Sequence, residues 1–365
     1  MSGIDRALSI RQVNQMNHKV SYIAALLAAT QLLSGCEVSD PASGTTELSE
    51  PHWQLVWQDE FSGQQLDFTK WSFEVNCAGG GNNERQCYTN RAENASVANG
   101  VLTITAIKEN YSGPSAQDDS AHYDPTLTVS REFTSARLRT KGKGDWTYGR
   151  FEIKAKLPAG QGSWPAIWML PTEWRYGGWA SSGEIDIMEA VNLGAVTDDT
   201  TAPGQSEQRV HGTLHYGRLP PGNVYSGTSY KASHFKPTEQ FHLYALEWEE
   251  GEIRWYVDNV HYATQTQQGW YSQSLSKDGV WQQASGAAPF DQPFHLLLNL
   301  AVGGNWPENV NEKGVDQSIW PQQMQVDYVR VYQCAASTQD GKGCGTNSAA
   351  AKLVPGYQPP VLSAG

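Results

Sequence analysis

Hydrophobic and polar residues alternate in short runs along most of this chain. Gly100-Val-Leu-Thr-Ile-Thr-Ala106, Arg150-Phe-Glu-Ile-Lys-Ala-Lys-Leu157 and Ile253-Arg-Trp-Tyr-Val257 all show this pattern. A period of two places successive side chains on opposite faces, so each run predicts a β-strand. Asp258-Asn259 follows the last run directly and predicts a hairpin turn. Beyond residue 53 no long stretch has a helical period. Many short strands joined by turns, without helical crossovers, predict an all-β antiparallel sandwich. The pattern alone does not separate a jelly roll from other sandwiches.

The two ends read differently. Val20 to Leu33 is an apolar run preceded by Arg6, Arg11 and Lys19, and it ends in Leu33-Ser34-Gly35-Cys36. It has the length of a signal h-region and is short for a bilayer span. The final four residues resemble a bacterial lipobox, in which Cys36 carries the lipid, so residues 1–36 are expected to be a lipoprotein signal segment. Asp5 is unusual in such a leader, and Met16 offers a second start with a tidier signal. Residues 37–52 are small, polar and Pro/Gly-bearing and predict a flexible tether. Residues 335–365, rich in Ala, Gly, Ser and Pro without an apolar period, predict a low-complexity tail with little structure. The remaining residues, 53–334, are expected to form one large sandwich.

One predicted strand carries unusual chemistry. In Ser182-Gly-Glu-Ile-Asp-Ile-Met-Glu-Ala-Val191, Glu184 and Asp186 share a face while Ile185 and Ile187 share the other. Glu189 has the wrong parity to join the acids, and a β-bulge near Met188 would restore it. The apolar face makes this an interior strand rather than a solvated acidic edge. Three carboxylates on one face repel, so one is expected to hold its proton near neutral pH while another stays ionised. Glycoside hydrolysis by paired carboxylates requires that division.

Composition narrows the partners. A net charge of −12 argues against nucleic acid and anionic lipid surfaces, which call for basic patches, and suits a neutral substrate. With Cys36 set aside, Cys77/Cys87 and Cys334/Cys344 remain, each pair ten residues apart. Export permits disulfides, and two local pairs are the simplest of three connectivities. A zinc site would need a C-x-x-C pair and nearby His, which this spacing lacks.

The acidic strand, preceded by Gly162-Ser-Trp-Pro-Ala-Ile-Trp-Met-Leu-Pro171, resembles the bacterial laminarinase branch of glycoside hydrolase family 16. The likeness continues in order through Trp57-Gln-Asp-Glu-Phe61, Gly81-Asn-Asn-Glu84, Tyr148-Gly-Arg-Phe151, His211-Gly-Thr-Leu-His215, Leu298-Asn-Leu-Ala-Val-Gly-Gly304 and Val326-Asp-Tyr-Val-Arg-Val-Tyr332. It implies a concanavalin-like jelly roll with a concave substrate cleft, and retaining hydrolysis of β-1,3-glucan by endo cleavage. Glu184 would be the nucleophile, Glu189 the acid/base and Asp186 the neighbour that tunes them. Retention needs the two carboxyls about 5–5.5 Å apart, so the face must curve or the side chains lean together. Trp164, Trp168, Trp179 and Trp306 lie in or beside matching segments and are the expected sugar-stacking residues. Trp57, Trp71, Trp248 and Trp255 are assigned to the core. The resemblance also implies glucan contacts for Asn83 and Arg137, and places His215 near the acid/base. It implies a structural calcium held by backbone carbonyls and one Asp, with Glu60, Gly100 and Asp327 at the matching positions, remote from the chemistry, and no cofactor for catalysis.

The expected protein is therefore an exported, lipid-anchored monomer acting on neutral β-glucan. Other family 16 substrates, including mixed-linkage glucan, agar and carrageenan, are the alternatives among enzymes. A non-catalytic glucan-binding lipoprotein is the alternative outside them, disfavoured by the intact acids. Cys77-Ala-Gly-Gly-Gly81 departs from the aromatic-Gly usual in the family, in a loop expected near the non-reducing-side subsites. Segments 111–125 and 264–292 have no readable pattern.

Overall fold

The computed structural model describes residues 52–362. The signal segment, Cys36 and residues 37–51 of the tether lie outside them. Two large sheets dominate. In the sheet that carries the acids the strand order is Asn223–Tyr230, Val210–Gly217, Glu184–Glu189, Ser163–Pro171, Phe294–Val302, Arg137–Arg139 and Ser72–Glu74. The back sheet centres on His242–Glu249, Gly149–Lys156, Gln322–Cys334 and Val101–Pro114. Pairing is antiparallel except where Gln86–Tyr88 meets Thr128–Ser135 and where Val260–Thr266 meets Lys352–Leu353. Helical structure among the described residues is confined to three-residue 3-10 turns. The antiparallel sandwich predicted from alternation is what the chain forms.

The alternating runs meet across one core. Ile185, Leu214, Ile167 and Leu298 of the front sheet and Phe151, Ile153, Leu246 and Val329 of the back sheet are all fully buried in the same cluster. Asp258 and Asn259 take φ of 48° and 63°, the two positive values a two-residue hairpin turn of this hand needs. Trp71, Trp248 and Trp255 are buried, and Trp57 packs partly buried against the same cluster. Cys77–Cys87 and Cys334–Cys344 form the two disulfides.

Trp255 does more than fill space. Its indole N–H crosses the sandwich and donates to the backbone carbonyl of Asp186 at 2.9 Å. Gly212 makes room for it: a Cβ there would lie 2.7 Å from Trp255 Nε1 and 2.6 Å from the Tyr262 hydroxyl.

The C-terminal segment corrects an expectation. Residues 335–362 pack on the back sheet instead of forming a loose tail. Lys352–Leu353 pairs with the edge strand Val260–Thr266, and Val354 donates its N–H to Thr264 O at 2.8 Å and is buried. Upstream, the fully buried Glu247 carboxylate accepts from Thr346 N at 2.9 Å and from Arg150 Nη1 and Tyr256 Oη at 2.8 and 2.7 Å. Backbone pairing to an edge strand needs no apolar period, so composition could not reveal it. The two unreadable segments also resolve. Val101–Pro114 runs on into a hairpin with Thr128–Ser135, whose tip places the Asp118 carboxylate on Val75 N and Asn76 Nδ2. Residues 264–292 include a small hairpin, Gln273–Leu275 with Trp281–Gln283.

The buried Asp186 carbonyl yields a prediction. Trp255→Phe removes that donor and is expected to cost about 0.5–1.5 kcal/mol from the lost bond. Gly212→Ala is expected to cost about 1–3 kcal/mol through overpacking against the same indole. Denaturant unfolding measures both, and wild-type midpoints in both variants would show that this contact does not support the fold.

Candidate active site

Glu184–Glu189 lies between Ser163–Pro171 and Val210–Gly217, inside the front sheet. Against its first neighbour, Trp168 faces Asp186 and Ile167 faces Met188, so Ile187 has no partner. Against its second, Asp186 faces Thr213 and Glu189 faces His211, again with one extra residue on the acidic strand. This is the expected bulge. Ile187 and Met188 both turn inward and are 2% and 1% exposed, and the phase shift returns Glu189 to the face of Glu184 and Asp186. Gly183, at φ +85°, starts the strand where a Cβ would meet Phe290 and Pro289 at 2.9 and 3.0 Å.

Each glutamate is held by an indole. Trp179 Nε1 donates to Glu184 Oε2 at 2.9 Å, and Trp164 Nε1 donates to Glu189 Oε1 at 3.0 Å. His215 faces Glu184 across the strand pair; its Nε2 lies 3.6 Å from Glu184 Oε1 and 3.4 Å from Asp186 Oδ2. It therefore sits on the Glu184 side of the acids and reaches Glu189 by charge alone.

Burial and then the charge of Asp186 raise the Glu184 carboxyl to about 7. The same two causes, in the same order, hold Glu189 well above the ordinary carboxyl range. Burial alone would lower His215, but the charges of Glu184, Asp186 and Glu189 and the bond to Asp186 outweigh it and raise the imidazole to about 10. At neutral pH His215 is an imidazolium set among three acids. His211, beside Glu189, goes the other way: burial first, then Arg209, lowers it to about 4, so it is neutral.

Glu184, Asp186 and His215 offer donor atoms within 4.8 Å of one another, a spacing that would suit a metal ion. A protonated His215 has no lone pair free at Nε2 and repels a cation, so the imidazolium takes that place. At the positions expected for calcium, the Glu60 side chain is held by Arg330 at 2.7 and 2.9 Å, and Asp327 pairs with Lys154 at 2.9 Å.

The remaining predicted residues form the walls. Trp306, half-buried, meets Trp164 edge to face at 5.6 Å and His211 at 5.1 Å. Trp168 donates its N–H to Asn299 Oδ1 at 2.7 Å. Asn83 is exposed, with φ +58°, and its amide donates to Asn305 Oδ1 at 2.9 Å, which puts the Cys77–Cys87 loop on the rim with Trp306. Arg137 is only 6% exposed. Its guanidinium lies 5.2 Å from the Trp168 ring and 4.6 Å from the Tyr88 ring, with Glu74 at 3.3 Å. It backs Trp168 from below and is not an exposed strand cation.

Sequence reasoning missed several partners. His211 and Thr213 share the parity of His215 and were legible from it. Asn299 is the lone amide in an otherwise apolar Leu298–Leu300 context, a usable signal. Tyr88, Glu74 and Glu84, which close the polar network under Arg137, come from distant segments with no local mark.

Comparison with known proteins agrees with this geometry. The sequence profile of "Glycosyl hydrolases family 16" matches residues 82–329. A beta-glucanase of Rhodothermus marinus is 41% identical over 332 residues, covering 89% of this chain and 98% of that protein. A glucan endo-1,3-beta-glucosidase of Cryptopygus antarcticus is 40% identical over 255 residues, covering 70% of this chain and 82% of that one. The crystal structure of the laminarinase from Rhodothermus marinus superposes with a TM-score of 0.60 at 41% identity, over 78% of this chain and 99% of its own. The sandwich is thus the jelly roll the resemblance implied, and the chain belongs to glycosyl hydrolases family 16.

Proposed function

We propose that the chain is a retaining endo-β-1,3-glucanase acting on laminarin-type glucan, with Glu184 as nucleophile and Glu189 as acid/base. The observation that carries this reading is a pair of buried glutamates, each bonded to one indole N–H, with a third acid and a fixed imidazolium beside them. The activities named for the Cryptopygus antarcticus and Rhodothermus marinus relatives support the substrate.

Both carboxyls are raised, and the roles divide by the placement of His215, which touches Glu184 and not Glu189. Glu189 gives that proton to the glycosidic oxygen as the Glu184 carboxylate attacks the anomeric carbon, and the leaving chain departs. Glu189, now a carboxylate, takes a proton from water as the water oxygen attacks the same carbon and Glu184 is released. His215 and the Trp179 N–H stabilise the Glu184 carboxylate before attack and as it leaves the sugar. Asp186, buried between the two, keeps Glu189 protonated by its charge.

The reading extends to location. The apolar run ending in Leu33-Ser-Gly-Cys36 supports export with lipid attachment, and two disulfides accord with an oxidising compartment.

Four outcomes test these statements. Glu189→Gln is expected to lower kcat on laminarin by about 10²–10⁴-fold, and Glu184→Ala to remove turnover. Azide added to Glu184→Ala should yield the glycosyl azide of inverted configuration, and added to Glu189→Ala the retained one; the reverse pattern would exchange the roles. His215→Asn removes the cation that lowers the Glu184 carboxyl, so the acidic limb of the kcat/KM–pH profile should move to higher pH. An unmoved limb would separate His215 from the nucleophile's charge. In the bacterial host, radiolabelled palmitate should enter the wild-type chain and be absent from Cys36→Ser, with the variant recovered away from membranes; equal labelling of both would refute the anchor.

A further inference from the structure

The two indoles that hold the glutamates are mounted differently. Trp164 stands on the strand Ser163–Pro171, inside the front sheet. Trp179 ends a loop whose Glu173, Trp174, Arg175, Gly177 and Gly178 are all exposed. Its N–H reaches Glu184 at 2.9 Å only if the loop's far end is fixed. That end, Ala180-Ser181-Ser182, is buried.

Two segments fasten the loop. Gln292 Nε2 donates to Ser182 O at 3.1 Å, and Tyr176 Oη donates to Asp291 Oδ1 at 2.7 Å. On the other side Ser181 is bonded in both directions. Ser272 Oγ donates to Ser181 O at 2.7 Å, and Ser181 Oγ donates to Gln273 O at 3.3 Å. Ser272 and Gln273 are buried, and they also close the end of the His215 strand. Gly217 N donates to Tyr271 O at 3.1 Å, and Gly217 forms a parallel bridge with Ser272.

The C-terminal segment in turn holds residues 269–273. Tyr357 N donates to Gly269 O at 3.0 Å, and a Cβ on Gly269 would lie 2.6 Å from Pro355 O, so the two backbones touch. Gln273 Nε2 donates to Pro360 O at 2.9 Å and to Gln283 Oε1 at 3.1 Å, while its Oε1 accepts from Arg218 Nε at 2.7 Å. One buried amide thus joins the C-terminal segment, the end of the His215 strand and the small hairpin, and its backbone carbonyl takes the Ser181 hydroxyl.

We propose that Ser272 and Gln273 are positioning residues that transmit the fixed place of the C-terminal segment to Ser181, and so hold the Trp179 indole against Glu184. Neither acts on substrate. A displacement of ~1 Å at a group beside the reacting atoms can cost about 10²-fold in rate, so the anchor matters to turnover. The charged groups that face Glu184 are Asp186 and Glu189 from its own strand, His215 from the next and Arg137 from across the sheet. None of them is carried by this loop, so losing the anchor disturbs the indole bond alone. The effect on rate rests on the glucanase reading above; the placement of the indole does not.

The test uses the full chain with isotope-labelled tryptophan. Trp179→Phe and Trp164→Phe assign the two indole N–H signals. In Ser272→Ala, deuterium exchange of the Trp179 indole N–H should speed up about tenfold, with that of Trp164 at its wild-type rate. On laminarin, kcat/KM should fall about tenfold, and the acidic limb of its pH profile should move to higher pH because the indole bond lowers the Glu184 carboxyl. Gln273→Met, which keeps the volume and loses the amide, should repeat this pattern. Ser272→Ala added to Trp179→Phe should move the limb no further than Trp179→Phe alone. If Ser272→Ala does not fold, Ser181→Ala carries the same comparison through the reciprocal bond. Wild-type exchange at Trp179, equal acceleration of both indoles, or a fall in kcat/KM with an unmoved limb would overturn the positioning role. If wild type leaves laminarin uncut, the glucanase reading fails, and the exchange rates still decide whether these residues hold the indole.

Discussion

The hydrogen bond from Trp255 to the Asp186 carbonyl is the constraint on which the site depends. A bulge breaks the ladder locally and leaves backbone groups to be satisfied elsewhere. Here the Asp186 carbonyl beside the bulge takes a donor from across the sandwich, a bond worth about 0.5–1.5 kcal/mol. The back sheet supplies the donor, and Gly212 supplies the space, so a residue on one sheet fixes the phase of a strand on the other. Without that phase Glu189 would point into the sandwich and the two glutamates could not share a substrate. Fold stability and catalytic geometry are joined at this single contact.

The electrostatics follow from the same placement. Three carboxylates on one face could not stay ionised together in a site this buried, and the chain resolves the conflict unevenly. One imidazolium lies against Glu184 and Asp186, one indole N–H serves each glutamate, and Asp186 itself stays buried at the centre. Because His215 touches Glu184 and not Glu189, its charge favours ionisation at Glu184 more than at Glu189. Asymmetric placement of one cation thus makes two chemically identical side chains inequivalent.

Much of this was legible in the residues. Alternation gave the sandwich, the Asp258-Asn259 hairpin and the shared face of Glu184 and Asp186. The parity of Glu189 alone demands the bulge. The illegible parts share one physical reason: they depend on backbone pairing or on contacts between distant segments. The C-terminal segment folds by offering N–H and C=O groups to an edge strand, which leaves no side-chain period. Arg137 reads as a surface cation in its own strand, but Trp168, Tyr88 and Glu74 bury it from three other segments.

The aromatic walls tie binding to acidity. Trp164 and Trp179 were expected as stacking surfaces, but each also donates its N–H to a catalytic carboxylate. A sugar ring lying on either indole displaces water from the glutamate bonded to it, which strengthens every charge interaction in the site. Loss of water disfavours the ionised form of both acids, while the fixed imidazolium opposes that change mainly at Glu184. A neutral substrate suits this arrangement because it removes water without adding a charge of its own. An acidic polysaccharide would bring a further anion beside Asp186 and oppose ionisation of the carboxylates around it.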